Sequence, residues 1–185
     1  MVNDALPENL TLLKSLFHRQ YLVDGNELIE ENLDFNGKPF KMKITLKASK
    51  GLSFVIFKFE SEKLDIFPYF GEVAGLKSMC DYVVFVEDAK FLYAFLFELK
   101  KTTNSAMPQL NISETFVNFV LERFKVIGKK FDKPFEIRKV AIKQYRSNKQ
   151  TTQGYKERKF KENGYVLLPF TESIRLLHLT QFETS

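Results

Sequence analysis

The chain has 185 residues, of which 44% are hydrophobic and 28% charged, with a net charge of +5, a balance typical of a soluble globular protein. This composition excludes a chain that is disordered throughout, and no apolar run approaches the ~20 residues that a membrane-spanning helix needs. The single cysteine, Cys80, cannot form an internal disulfide, and the amino terminus lacks the basic and apolar regions of a secretion signal. We therefore expect one domain over residues 1–185, a cytoplasmic location and no membrane partner.

The predicted elements begin with a helix from Pro7 to about Leu22, because apolar residues recur there at spacings of three and four. Residues 26–33 are acidic and follow an Asp24–Gly25 turn, and we interpret them as a continuation of this helical region. Two partly alternating segments, 40–47 and 52–60, predict strands. Residues 64–76 contain one proline and two glycines and predict a loop.

Residues 80–100, CDYVVFVEDAKFLYAFLFELK, contain two nearly continuous apolar runs with a turn inside 87–90, a pattern typical of central strands buried on both faces. A helix is predicted over 104–125, with Pro108 as a kink or restart and Ser113 as the cap of its second part. A strand over 135–145, a basic loop over 146–163 and a short strand over 165–170 follow, and residues 171–181 are ambiguous. This order predicts an α/β sandwich with a central mixed β-sheet flanked by helices.

Three charged residues mark the ends of the two apolar runs: Asp81 opens the first, and Glu98 and Lys100 close the second. If residues 89 and 90 form a two-residue hairpin loop, cross-strand partners have numbers that sum to 179, and Asp81 lies directly opposite Glu98. A longer loop would instead place Asp81 across from Phe97 or Leu96. In the first register both carboxylates are close enough to bind one divalent cation, Mg²⁺ or Mn²⁺, with Lys100 on the same face. The alternative is an ordinary salt bridge at the rim of the sheet.

Together with a helix that carries Gln109, the Asp81 hairpin and its Glu98-Leu99-Lys100 motif resemble the core of the PD-(D/E)XK nuclease superfamily, also called restriction-endonuclease-like, over residues 78–145. Cys80 stands where the proline that gives the superfamily its name would be. The resemblance implies a restriction-endonuclease-like sandwich in which Asp81 and Glu98 bind Mg²⁺ (or Mn²⁺). It also implies that Lys100 orients or activates the attacking water and that Gln109 is a fourth catalytic residue.

The same resemblance implies a further acidic metal ligand from the first helical region, for which Glu27, Glu30 and Glu31 are candidates and Glu31 is the one assigned. The activity that it implies is Mg²⁺-dependent hydrolysis of phosphodiester bonds in DNA by an endo- or exodeoxyribonuclease. RNA is an alternative substrate, and a homodimer is the assembly expected of an enzyme that cuts both strands.

The basic charge of the chain is concentrated in residues 138–161, where nine Lys or Arg and one acid give a charge of +8. A basic surface on an otherwise slightly acidic body is typical of a polyanion-binding protein. A solvated loop beside an acidic neighbour would have the same composition. The predicted nucleic-acid-binding residues are Lys143, Arg146, Lys149, Lys156, Arg158 and Lys159.

Two other functions fit the same sequence. One is a non-catalytic nucleic-acid-binding module that keeps the nuclease fold, and the other is a protein-interaction module with an exposed Phe-rich surface. Metal dependence would separate the nuclease from both. Salt-dependent binding of nucleic acid would separate the first module from the second, because phosphate contacts weaken steeply with added salt.

Overall fold

The computed structural model describes residues 6–33, 37, 39–59, 71, 73, 75–100, 106–143 and 164–181. In chain order its elements are α1 (Glu8–Leu16), a 3₁₀ turn (Arg19–Tyr21), β1 (Leu22–Val23), β2 (Glu27–Leu33), β3 (Pro39–Lys47), β4 (Ser53–Phe57), β5 (Tyr82–Glu87), β6 (Leu92–Lys100), α2 (Met107–Val126), β7 (Phe135–Lys143), β8 (Val166–Pro169), β9 (Ser173–Arg175) and α3 (Leu176–Thr180). None of the described helices is long and apolar enough to cross a membrane.

The central sheet is mixed and has six strands in the order β1-β4-β5-β6-β7-β8. The pairs from β1 to β6 are antiparallel, whereas β7 runs parallel to β6 and β8 runs parallel to β7. Helix α2 connects β6 to β7, as a parallel pair requires a crossover. All of β5 and all but the last residue of β6 are buried, as their apolar runs predict. The expected α/β fold with a central mixed sheet is confirmed.

The two faces of the central sheet are covered differently. Helices α1 and α2 pack on one face, where Leu10, Leu13, Leu110 and Val117 contact the sheet. The other face packs against a second sheet with the strand order β2-β3-β9, and against the short helix α3. Helices α1 and α2 therefore flank one side of the central sheet, and the second sheet with the short helix α3 covers the other.

Residues 27–33 form a strand, so the prediction that they continue the first helix is wrong. Glu27 and Glu31 form ion pairs with Lys43 and Lys41 of the neighbouring β3, while Leu28 is fully buried between the sheets. Paired opposite charges stabilise neighbouring strands, and a buried leucine anchors the register. These contacts are distant in sequence, and they decide the conformation of an acidic segment that would also suit a helix.

Other boundaries differ for local reasons. Helix α1 ends at Leu16 rather than near Leu22, because Phe17 is extended and its ring packs against Phe57 and Phe59. Helix α2 is continuous, and Pro108 lies in its first turn, where the missing N–H is harmless. The ambiguous segment 171–181 supplies β9 and α3. The predicted basic loop, 146–163, lies outside the described residues.

Candidate functional site

The turn of the β5–β6 hairpin sets the register of the candidate site. The Asp88 N–H donates to the carbonyl of Phe91 at 3.1 Å, and Asp88 Oδ1 accepts from the N–H groups of Lys90 and Phe91 at 2.7 Å each. Aspartate commonly stabilises a turn by accepting from backbone N–H groups of the next residues. Tyr82 pairs with Phe97, so the partner numbers sum to 179, and the predicted two-residue loop is confirmed.

Asp81 immediately precedes β5 and, in this register, lies opposite Glu98. Its side chain is 5% exposed, and its Oδ2 accepts from the Leu99 N–H at 2.5 Å. A carboxylate oxygen thus takes the place of a backbone carbonyl just beyond the last backbone pair of the hairpin. This contact fixes the Asp81 carboxylate against β6.

Glu98 lies on the face of β6 that packs against the helices, the same face as Leu96. Glu98 is 2% exposed and forms an ion pair with Lys100, whose side chain is partly exposed. A buried carboxylate is costly without a cation or hydrogen-bond donors, and Lys100 supplies part of this stabilisation. The structure therefore gathers Asp81, Glu98 and Lys100 at one end of the hairpin, as predicted.

Ser113 connects α2 to this site and lies inside the helix, so the prediction that it caps a second part of the helix is wrong. The residue is fully buried within α2, its hydroxyl accepts from the Cys80 N–H at 2.7 Å, and it donates to the Gln109 carbonyl at 2.8 Å. Gln109 is therefore one helical turn from a residue that contacts the neighbour of Asp81. The position of Ser113 in the sequence already indicates a buried role, because Ser113 is three residues after Leu110 and four before Val117, and both of these are buried.

Cys80 is buried beside the two acids, and its Sγ donates to the Tyr82 carbonyl at 3.3 Å. Burial raises the pKa of the Cys80 thiol far above its usual range, and the nearby Glu98 and Asp81 charges raise it further. The thiol therefore stays protonated at neutral pH, and a thiolate nucleophile or metal ligand is not expected here.

Glu31 does not join the acid pair. It lies on β2, which packs on the opposite face of the central sheet, and its exposed carboxylate is bound to Lys41. The hydrogen bond and the charge of Lys41 lower the pKa of Glu31. Within the described ranges, no group of three His, Cys, Asp or Glu residues is arranged to hold a metal ion. The expectation that Glu31 would reach the site from a helix is therefore wrong.

The described part of the basic segment offers few available charges. Arg138 is buried against Glu136 and the Leu179 carbonyl, and Lys139 pairs with Glu114 at 2.5 Å. Lys143 ends β7 directly beside Lys100 in the parallel register. The other predicted nucleic-acid-binding residues lie outside the described residues: Arg146, Lys149, Lys156, Arg158 and Lys159.

A third buried acid, Glu87, lies at the turn end of the same hairpin and was not among the predicted site residues. Its Oε1 accepts from Lys133 Nζ at 2.6 Å and from Asn9 Nδ2 at 3.2 Å. Lys133 Nζ also donates to the Asp88 carbonyl at 2.6 Å. This network joins α1 and the segment before β7 to the hairpin, and it gives Glu87 a structural role.

The donors at the Asp81 end suit a hard divalent cation. Mg²⁺ in enzymes is usually held by one or two carboxylates, with water and substrate phosphate oxygens completing its coordination. Asp81 and Glu98 supply two carboxylates at adjacent positions, so the donor chemistry fits Mg²⁺ or Mn²⁺.

No family model matches this chain, and comparisons with curated proteins and with solved structures find no significant match. The geometry of Asp81, Glu98 and Lys100 is consequently the feature from which a function is inferred.

Proposed function

We propose that the protein is a metal-dependent nuclease that hydrolyses phosphodiester bonds of DNA, with RNA as an alternative substrate and a restriction-endonuclease-like arrangement of its site. The observation that carries this proposal is the convergence of two buried carboxylates and a lysine at one end of the central hairpin. Two acids at adjacent buried positions favour a cation, because both charges lose hydration and repel each other.

Asp81, Glu98 and Lys100 would have distinct roles in the reaction. Asp81, held by the Leu99 N–H, and Glu98 would bind Mg²⁺ or Mn²⁺. A metal bound there would polarise the scissile phosphate and lower the pKa of a coordinated water. Lys100 now contacts Glu98, and its ammonium group would turn to the attacking water or to a phosphate oxygen.

The surroundings of the acid pair suit a polyanionic substrate. Lys143 adds a second ammonium group at the same edge of the sheet, and the chain continues from it into the basic segment. Gln109 would contact the substrate from α2, to which Ser113 links the site. Two copies would act together where both strands of a duplex are cut.

The proposal is tested by incubating the purified protein with single-stranded, duplex and branched DNA in the presence of Mg²⁺ or Mn²⁺. Cleavage should require the metal and fall at least ~100-fold in Glu98→Gln and Lys100→Met. Glu114→Gln is the matched control, because it also removes the acid of a glutamate–lysine pair but lies on α2, in contact with Lys139. This control should cleave like the wild type.

A different outcome favours the alternative function. If no substrate is cut with either metal, and the wild type, Glu98→Gln and Lys100→Met bind DNA equally, the Glu98–Lys100 pair is structural. The protein would then be a non-catalytic nucleic-acid-binding module.

A further inference from the structure

Lys100 supplies the positive charge beside Glu98 in this structure. The two residues lie two positions apart on one face of β6, and the Lys100 ammonium group forms an ion pair with Glu98 Oε1. The Glu98 side chain is only 3% exposed, so its charge is costly without a cation nearby. The Lys100 side chain is 22% exposed and has room to turn towards solvent. Lys100 is therefore a counter-ion of Glu98 that another cation can replace.

A metal ion would compete with Lys100 for the Glu98 carboxylate. The same negative charge attracts both cations, and an ammonium group and a divalent ion at one buried carboxylate repel each other. The metal would therefore bind weakly while Lys100 stays on Glu98, and more tightly once the ammonium group leaves. The affinity for a metal consequently depends on where Lys100 points.

Lys143 marks the place to which the ammonium group of Lys100 can turn. It is the direct neighbour of Lys100 in the parallel pairing of β6 and β7, and both side chains project from the same face. Within the part of the chain that the structure describes, Lys143 forms no ion pair. Like charges at neighbouring strand positions repel each other, and an anion between them removes the repulsion. A phosphate group placed there would contact both lysines and draw Lys100 away from Glu98.

We propose that Lys100 couples metal binding to phosphate binding at this site. Without a substrate, Lys100 stays on Glu98 and keeps the affinity for a divalent cation low. A phosphate group held by Lys100 and Lys143 releases the Glu98 carboxylate, and the cation then binds tightly. This inference rests on the proposed function, since it takes Asp81 and Glu98 as the metal ligands and a phosphodiester as the substrate.

The coupling would regulate the site through its own substrate. Coupling between two ligands is reciprocal, so a bound cation strengthens phosphate binding by the same factor by which phosphate strengthens metal binding. Coupled sites typically change each other's affinity by about 5- to 150-fold, and we expect at least ~tenfold here because Lys100 contacts Glu98 directly. The acid pair would therefore hold little metal until a phosphodiester is bound.

Calorimetric measurement of Mn²⁺ binding without nucleic acid tests the competition. Lys100→Met should bind Mn²⁺ at least ~tenfold more tightly than the wild type, because no ammonium group then competes for Glu98. Lys100→Arg keeps the positive charge and should bind Mn²⁺ no more tightly than the wild type. Unchanged melting of all variants by circular dichroism excludes misfolding as a cause.

Lys143→Met is the matched control for the loss of charge. It removes one ammonium group from the neighbouring position on β7 but leaves the contact between Lys100 and Glu98 intact. Its affinity for Mn²⁺ without nucleic acid should differ from that of the wild type by less than ~threefold, since exposed charges interact weakly in water. A gain as large as that of Lys100→Met would overturn the proposal, because it would show a general effect of net charge.

The same measurement with a DNA duplex that contains hydrolysis-resistant phosphorothioate linkages tests the coupling. The heat of Mn²⁺ binding to the duplex alone is subtracted. The duplex should raise the Mn²⁺ affinity of the wild type at least ~tenfold, and that of Lys100→Met by less than ~threefold. An equal gain in both proteins would overturn the coupling.

Cleavage assays on the same proteins separate this inference from the proposed function. If the wild type cuts DNA with Mn²⁺ but Lys100→Met binds Mn²⁺ equally or more weakly, Lys100 supports the metal site and only the coupling is overturned. If Lys100→Met binds Mn²⁺ more tightly and the duplex raises the affinity of the wild type alone, but no DNA is cut, the coupling stands and the nuclease activity is overturned. A wild type that binds no Mn²⁺ with or without the duplex would overturn both.

Discussion

Replacing Ser113 by alanine should destabilise the protein, because the Ser113 hydroxyl is the acceptor of the buried Cys80 N–H at 2.7 Å. A buried N–H left without an acceptor costs ~1–3 kcal/mol. Alanine regains roughly 0.5 kcal/mol of helix propensity, which leaves a net loss of ~0.5–2.5 kcal/mol. For a chain of this size we expect Tm to fall by roughly 1–10 °C.

Thr115→Ala is the matched control for this substitution. Its hydroxyl donates to the Asn111 carbonyl at 3.0 Å, four residues earlier in the same helix, but at an exposed position. Removing it should leave Tm unchanged or slightly higher, since threonine is the poorer helix former. Thermal unfolding of both variants by circular dichroism would separate the buried contact from a general effect of losing a helix hydroxyl.

The Ser113 substitution also bears on the site, because Cys80 precedes Asp81. Well below Tm, Ser113→Ala should bind Mn²⁺ more weakly than Thr115→Ala, as measured by titration calorimetry. If the two variants melt at the same temperature, the Ser113 hydroxyl adds no stability. Equal Mn²⁺ affinity would show that Ser113 does not position Asp81.

Three further outcomes follow from other contacts. Lys133→Met should lower the free energy of unfolding, measured in urea, by ~3 kcal/mol, because it leaves Glu87 buried without its ammonium partner. Its control, Lys130→Met at an exposed position, should change the free energy of unfolding by less than ~0.5 kcal/mol. Burial and, to a lesser extent, nearby acids raise the pKa of Tyr93 to about 12. The unfolded chain therefore loses the Tyr93 proton first, and stability falls as pH rises from ~10 towards 12. In urea titrations, Tyr93→Phe should remove up to ~2.7 kcal/mol of that fall. Lys143→Ala should weaken DNA binding about equally for all sequences and reduce the slope of log affinity against log salt by about 1, and an unchanged slope would contradict phosphate binding by Lys143.

The central hairpin was predictable because its information is local. The apolar runs of β5 and β6 identify two buried strands, and the short link between them fixes which residues face each other. Asp88 completes the turn with two backbone contacts of its own. The positions of Asp81 and Glu98 then follow from counting along two extended strands.

The parts that sequence reasoning missed depend on contacts between distant residues. Glu31 belongs to a strand because Lys41 of the neighbouring β3 is its partner, and the acidic segment alone also suits a helix. Ser113 is a common residue at helix ends, but its actual partner, Cys80, is 33 residues earlier in the chain. No local pattern identifies either partner. Which residues of the basic segment bind nucleic acid stays a prediction.

The acid pair lies at the open end of the hairpin, and the turn that aligns it lies at the other end. One residue added between Asp88 and Phe91 would shift the pairing and turn one strand's side chains to the opposite face. Asp81 and Glu98 would then separate although neither had changed. In evolutionary terms, a hairpin of this design can exchange the side chains of residues 89 and 90 more easily than it can change the number of residues in its turn.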